Sequence, residues 1–183
     1  ITFTTDFGEK GGYGGAMKGV ALRIAPHLKC IDITHAINPQ DRLEAALTLC
    51  SAIPYYPDDS VHVVVIDPGV GTHRKPVAVQ AGNHFFIGPD NGVLAPIVEQ
   101  LGFQRAVVLD NPNHWLHPVS ATFHGRDIFT PVAAALSKET PFESLGSSLD
   151  TILPLHLMPK TSRNENTISG EIVWVDSFGN MIS

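Results

Sequence analysis

Basic clusters, paired cysteines and long apolar runs are missing from this chain, and each absence removes a class of function. Lys and Arg number 12 against 18 Asp and Glu, a net charge of −6, and nowhere do they form a run or alternate with aromatics. Nucleic acid is therefore not an expected partner. The two cysteines, Cys30 and Cys50, stand far apart without CxxC spacing, which excludes a disulfide framework and a zinc knuckle and predicts buried, reduced thiols. No apolar segment approaches the ~20 residues of a membrane span. A cytoplasmic protein with no membrane partner is expected. Familiar catalytic signatures are absent as well. There is no GxSxG nucleophile turn, the GGYGG segment lacks the Lys-Ser/Thr of a phosphate-binding loop, and the DFG at Asp6 has no companion kinase motif.

What the chain does have is a hydrophobic fraction of 43% over 183 residues, enough for one domain with a substantial core. Ile1 to Thr5 reads as a strand broken at Asp6, and Ala16 to Ile24 as a helix stopped by Pro26. A short strand at Cys30 to Thr34 precedes a helix opened by Asn38-Pro39-Gln40-Asp41 and ended by Pro54. Val61 to Ile66 is a continuous β-branched run of the kind covered on both faces. Val77 to Gln80 and His84 to Ile87 flank Gly82-Asn83 as a hairpin. A helix over Val93 to Leu101, a strand over Ala106 to Leu109 and a helix over Asp127 to Leu136 follow. This alternation predicts an α/β fold, a largely parallel sheet flanked by helices, over residues 1–153. Residues 154–168 read as a polar linker and residues 169–183 as the start of a second, small β-rich unit. The chain opens inside a strand and closes at VWVDSFGNMIS as another begins, so a further C-terminal portion is expected.

Ligands of open α/β sheets sit at the carboxyl ends of the strands. Asp6 and Asp67 both fall there, each directly after a predicted strand. In VVVIDPGVGTHRKP the strand runs into Asp67, turns on glycines and presents Arg74; His124 lies in TFHGRDIFTP. An Asp orienting a guanidinium beside an imidazole can position a water or hydroxide for attack. Taken singly, Arg74 reads equally well as a surface cation and His124 as a satisfied turn histidine. His62, His73, His84 and His124 with Asp6 and Asp67 could in principle ligate a metal, but HxH and HExxH spacings are lacking, so no metal is expected.

TTDFG, DITH at Asp32 to His35, IDPGVGTHR, GPDNGVL, FHGRDIFTP and DSFGN occur in this order, and together they resemble the S-adenosyl-L-methionine hydroxide adenosyltransferase family, relatives of the SAM-dependent fluorinase and chlorinase. The resemblance implies hydrolysis of S-adenosyl-L-methionine (SAM) to adenosine and L-methionine by displacement at the ribose 5′ carbon. SAM is then the substrate and no cofactor is implied. It assigns Asp67, Arg74 and His124 to the nucleophilic water, Asp6 to the ribose hydroxyls, and Asp176, Phe178 and Asn180 of a C-terminal β-barrel to the methionine and adenine parts. It also implies a homotrimer whose sites form between the first domain of one subunit and the barrel of the next. Two other readings stay open: a halogenase forming 5′-halo-adenosine, and a protein that binds SAM or adenosine without turnover. The Asp-Arg-His set favours hydrolysis, because the halogenating relatives place other residues there.

Overall fold

The computed structural model describes residues 1–156, 161–176 and 178–183. Residues 157–160 of the expected linker and Ser177 of the DSFGN segment lie outside the described residues. A seven-stranded sheet forms the body. Its strands are β1 (Thr2–Thr5), β2 (Ile31–Thr34), β3 (Val61–Val65), β4 (Pro76–Ala81), β5 (His84–Pro89), β6 (Phe103–Val108) and β7 (Ser148–Leu149), in the spatial order β2-β1-β3-β5-β4-β6-β7. The helices are α1 (Tyr13–Ile24), α2 (Arg42–Ala52), α3 (Ala95–Leu101) and α4 (Thr130–Leu136).

The α/β architecture is as the alternation predicts, and the sheet is mixed. β2, β1, β3 and β5 run parallel, whereas β4 pairs antiparallel with both β5 and β6, and β6 antiparallel with β7. The physical reason is the two-residue turn at Gly82-Asn83, which returns the chain beside itself and leaves no room for a crossover helix.

Strand β3 shows why both faces are covered. Val63 and Val65 point to one side, where they pack with Met17 and Ala21 of α1 and Val132 and Ala133 of α4. Val64 and Ile66 point to the other, against Ala45 and Leu49 of α2 and Ile97 and Val98 of α3. The side-chain period of two thus sorts one apolar run into two cores. Helix α2 is capped as its sequence suggests: Asp41 accepts from the Glu44 N–H at 2.9 Å and Glu44 accepts from the Asn38 N–H at 2.8 Å. Helix α1 begins earlier than expected, at Tyr13, and takes Gly14 into its first turn, where the His35 ring lies against it. A Cβ on Gly14 would stand 2.5 Å from His35 Nε2.

Beyond β7 the chain forms two small antiparallel pairs, β8 (Ser162–Arg163) with β9 (Ile168–Ser169) and β10 (Trp174–Val175) with β11 (Met181–Ile182). β8 lies within the segment expected to be irregular. Cys30 and Cys50 are free thiols and half-buried rather than fully buried.

Candidate functional site

Asp67 stands just past the carboxyl end of β3, after Ile66, and the next seven residues form a tight turn. Val70 N–H donates to the Asp67 carbonyl at 3.2 Å, and both the backbone N–H and the hydroxyl of Thr72 donate to Gly69. Gly71 adopts φ +74°, and a Cβ there would fall 2.4 Å from the Ala121 carbonyl. Only glycine lets the turn press this closely on the segment that leads to His124.

The turn returns Arg74 onto Asp67. Arg74 Nε donates to the two carboxylate oxygens at 2.9 and 3.0 Å, and Nη2 also contacts Oδ2. Nη2 donates in addition to His124 Nδ1 at 2.8 Å. A guanidinium has no acceptor, so Nδ1 must hold a lone pair and the ring proton must sit on Nε2. The electrostatics agree: burial, and then the neighbouring Arg74 charge, lower the His124 pKa from its ordinary 6.5 and keep the imidazole neutral. The ion pair is nearly out of solvent, with 9% of the Arg74 side chain and 5% of the Asp67 side chain exposed. Phe129 closes it from behind, its ring centroid 5.4 Å from the guanidinium carbon.

His124 is held by the segment around it. Asp127, fully buried, accepts from the Ser120 N–H at 2.8 Å and from Arg126 Nε at 2.6 Å. A π-helical stretch over Gly125–Phe129 then leads into α4.

Asp67 and His124 face a cavity of about 140 Å³ whose wall also includes Asp6, Phe7, Gln40 and Val70. Asp6 follows β1 directly, and its Oδ2 accepts from the Gln40 N–H at 2.8 Å. Arg74 stands behind the wall, tying Asp67 to His124. A second cavity of about 450 Å³ shares Phe7, Thr122 and Phe123 with the first and adds Tyr13, Ser120 and Arg126. The rings of Phe7, Tyr13 and Phe123 meet edge to face or tilted, with centroids 5.4 to 5.8 Å apart.

Of the residues singled out in the sequence, Asp6, Asp67, Arg74 and His124 thus come together. Asp176, Phe178 and Asn180 line neither cavity. They form their own turn between β10 and β11, in which the Asp176 carboxylate accepts from the N–H groups of Phe178 and Asn180 and from the Asn180 amide. Those bonds, the Asn180 amide first, hold its carboxyl below the usual range, and Phe178 is 90% exposed. His62 and His84 are spent elsewhere, on each other at 3.2 Å and on the Thr2 hydroxyl. Among the described residues no three His, Cys, Asp or Glu side chains converge in the manner of a metal site. Gln40, Phe7, Phe123 and Asp127 were not anticipated. Phe7 and Phe123 have adjacency alone as a signal, since Phe7 follows Asp6 and Phe123 precedes His124; Asp127 lies three residues past His124, and Gln40, in the segment that opens α2, has no signal of its own.

Residues 1–146 match the model of the SAM hydroxide adenosyltransferase N-terminal domain. The chain is 42% identical to a protein of Salinispora tropica named (R)-S-adenosyl-L-methionine hydrolase, across 99% of this chain and 70% of that one. A Methanocaldococcus jannaschii protein of the same name is 37% identical over 100% of this chain and 65% of its own length. A fluorinase of an Actinoplanes species is more distant, at 25% identity over 99% of this chain and 70% of that protein. Among solved structures, an uncharacterized conserved protein from Thermotoga maritima superposes with a TM-score of 0.93 at 38% identity, covering 99% of this chain and 69% of that one. A family model that spans both catalytic-looking loops, together with relatives this similar over almost the whole sequence, leaves one conclusion: the chain belongs to the SAM hydroxide adenosyltransferase family.

Proposed function

We propose that this protein hydrolyses SAM to adenosine and L-methionine, with water displacing the sulfonium at the ribose 5′ carbon. The observation that carries the reading is the Arg74 clamp, which holds a carboxylate and a neutral imidazole side by side on the wall of one cavity. The sulfonium is already a good leaving group, so the enzyme's task is to supply and align a nucleophile. The C5′–O bond forms as the C5′–S bond breaks, the bonding pair goes to sulfur to give the neutral thioether of methionine, and the water proton passes to Asp67 and on to solvent. His124, with its proton on Nε2, donates to the water oxygen and orients it. Arg74 fixes both groups and supplies positive charge close to the developing hydroxide. In-line placement of oxygen, carbon and sulfur supplies much of the rate.

Asp6 holds the ribose hydroxyls in this reading. A cavity of about 140 Å³ admits the reacting centre rather than the whole substrate, and the aromatic-walled neighbour gives the remainder a place to extend. Asp176, Phe178 and Asn180 take the methionine and adenine parts from the barrel of a neighbouring copy in a homotrimer; the exposure of Phe178 and Asn180 and the absence of all three from the cavity wall fit that role. The reaction calls for neither metal nor cofactor, since the leaving group needs no Lewis acid. The free thiols suit a reducing cytoplasm.

The test is incubation with SAM in H₂¹⁸O, with and without chloride. Adenosine carrying heavy oxygen at the 5′ position in both buffers is expected. A 5′-chloro nucleoside would move the protein to the halogenase branch, and tight SAM binding with no product would leave only a binding protein.

A further inference from the structure

The DITH segment has no part in the reaction as described, yet its histidine sits directly under the loop that carries Asp6. His35 is buried, with 6% of its surface exposed. It grips the loop after β1 in two places. Its ring Nδ1 lies 2.8 Å from the hydroxyl of fully buried Thr5, and that hydroxyl accepts from the Phe7 N–H at 3.2 Å. Its carbonyl accepts from the Gly8 N–H at 2.7 Å. Asp6 and Phe7, both on the cavity wall, lie between these anchors.

The proton order follows from the donors available. Thr5 Oγ accepts from an N–H, so its own proton is free to go to Nδ1, and the His35 proton belongs on Nε2. Nε2 lies 3.1 Å from Asp32 Oδ1, an ion-pair contact poorly aligned for a hydrogen bond, and Asp32 is paired at its other oxygen with Lys18 Nζ at 2.6 Å. A chain of polar groups therefore runs from Lys18 on α1, through Asp32 and His35, to the backbone of Phe7. The Nε2 edge of the ring is also packed against Gly14, where any side chain would collide with it.

We propose that His35 is a positioning residue: through Thr5 and through its own carbonyl it sets the Asp6–Phe7 loop, and so fixes the carboxylate that holds the ribose hydroxyls. This rests on the reading of the site as a SAM hydrolase. Displacing Asp6 should weaken recognition of the sugar while leaving Asp67, Arg74 and His124, on other loops, in place.

The experiment compares Thr5→Val with Thr5→Ser. Valine keeps the shape of threonine and loses the hydroxyl; serine keeps the hydroxyl. Wild type and both variants are assayed with SAM and with its 2′-deoxy and 3′-deoxy ribose analogues. Thr5→Val should raise KM for SAM about tenfold, with a much smaller change in kcat, the loss of one buried hydrogen bond read through substrate binding. It should also discriminate against the deoxy analogues less than wild type does, while Thr5→Ser restores both properties. A general loosening of the fold would lower kcat on all three substrates alike and leave the discrimination ratio unchanged, and that result overturns the proposal. Equal behaviour of Thr5→Val and wild type overturns it too. His35→Asn, which keeps an acceptor near the Nδ1 position, should be milder than His35→Leu; the reverse order would count against the proposal. A wild-type protein that releases no adenosine defeats the functional reading, and this one with it, before any variant is compared.

Discussion

Arg74 makes two demands that a single lysine cannot meet: two parallel donors for Asp67 and a third N–H aimed at His124. Arg74→Lys is accordingly expected to recover little of the activity lost in Arg74→Ala, and both should fall in kcat by roughly 10²–10³, the typical loss for one preorganised electrostatic group; single-turnover adenosine release measures it. His124 adds a pH dependence. Its pKa lies below the ordinary 6.5, so the ring is neutral at pH 7 and takes a proton only in more acid solution. Protonation at Nδ1 would set two cations face to face and break the Arg74 contact. Turnover should therefore hold steady at neutral pH and decline on an acid limb whose midpoint lies below 6.5. His124→Asn, which keeps an acceptor for Arg74, should be slower and should lose that limb. Most of this residue layer was legible from the sequence, because Asp6, Asp67, Arg74 and His124 all fall in distinctive motifs. Their order of contact was not. That Asp67 and His124 line the cavity and Arg74 stands behind depends on a bond between residues 50 positions apart, which only the packing of the sheet determines.

At the scale of elements, periodicity identified β3 and its two covered faces because VHVVVI has no polar alternation. The reversal of β4 was legible in the Gly82-Asn83 turn, whereas the start of α1 was set outside any local window. Gly14, in the first turn of α1, lies against a ring 21 positions later in the chain, a contact no local window contains. The Asp67–Arg74 turn is the element most open to a decisive test. Gly71→Ala places a methyl group 2.4 Å from the Ala121 carbonyl at a positive φ, which forces the turn away from the segment holding His124. The expected cost is about 1–3 kcal/mol of stability, read as a lowered thermal midpoint. The loss of activity should be much larger than the unfolded fraction explains.

Across the whole molecule, the histidines that do not reach the site still influence stability. His62 is fully buried between the Thr2 hydroxyl and His84, and burial, with His84 adding to it, lowers its pKa from 6.5 to about 3. Over that interval the unfolded chain binds a proton that the folded one refuses, so stability is greatest above pH 6.5 and drains away as pH falls toward 3. The full effect is on the order of 5 kcal/mol at most. Denaturant midpoints for wild type and His62→Gln at pH 7 and pH 4 would isolate it, the variant being the flatter of the two. The division of the sheet into two ends has a practical reach as well. The reaction centre occupies the carboxyl ends of β1 and β3, while the Gly82-Asn83 turn of the β4–β5 hairpin lies at the opposite end, before β5, with Asn83 exposed. A short peptide tag or a tether to a solid support could be grafted at that turn, far enough from the chemistry for an immobilised form to keep working.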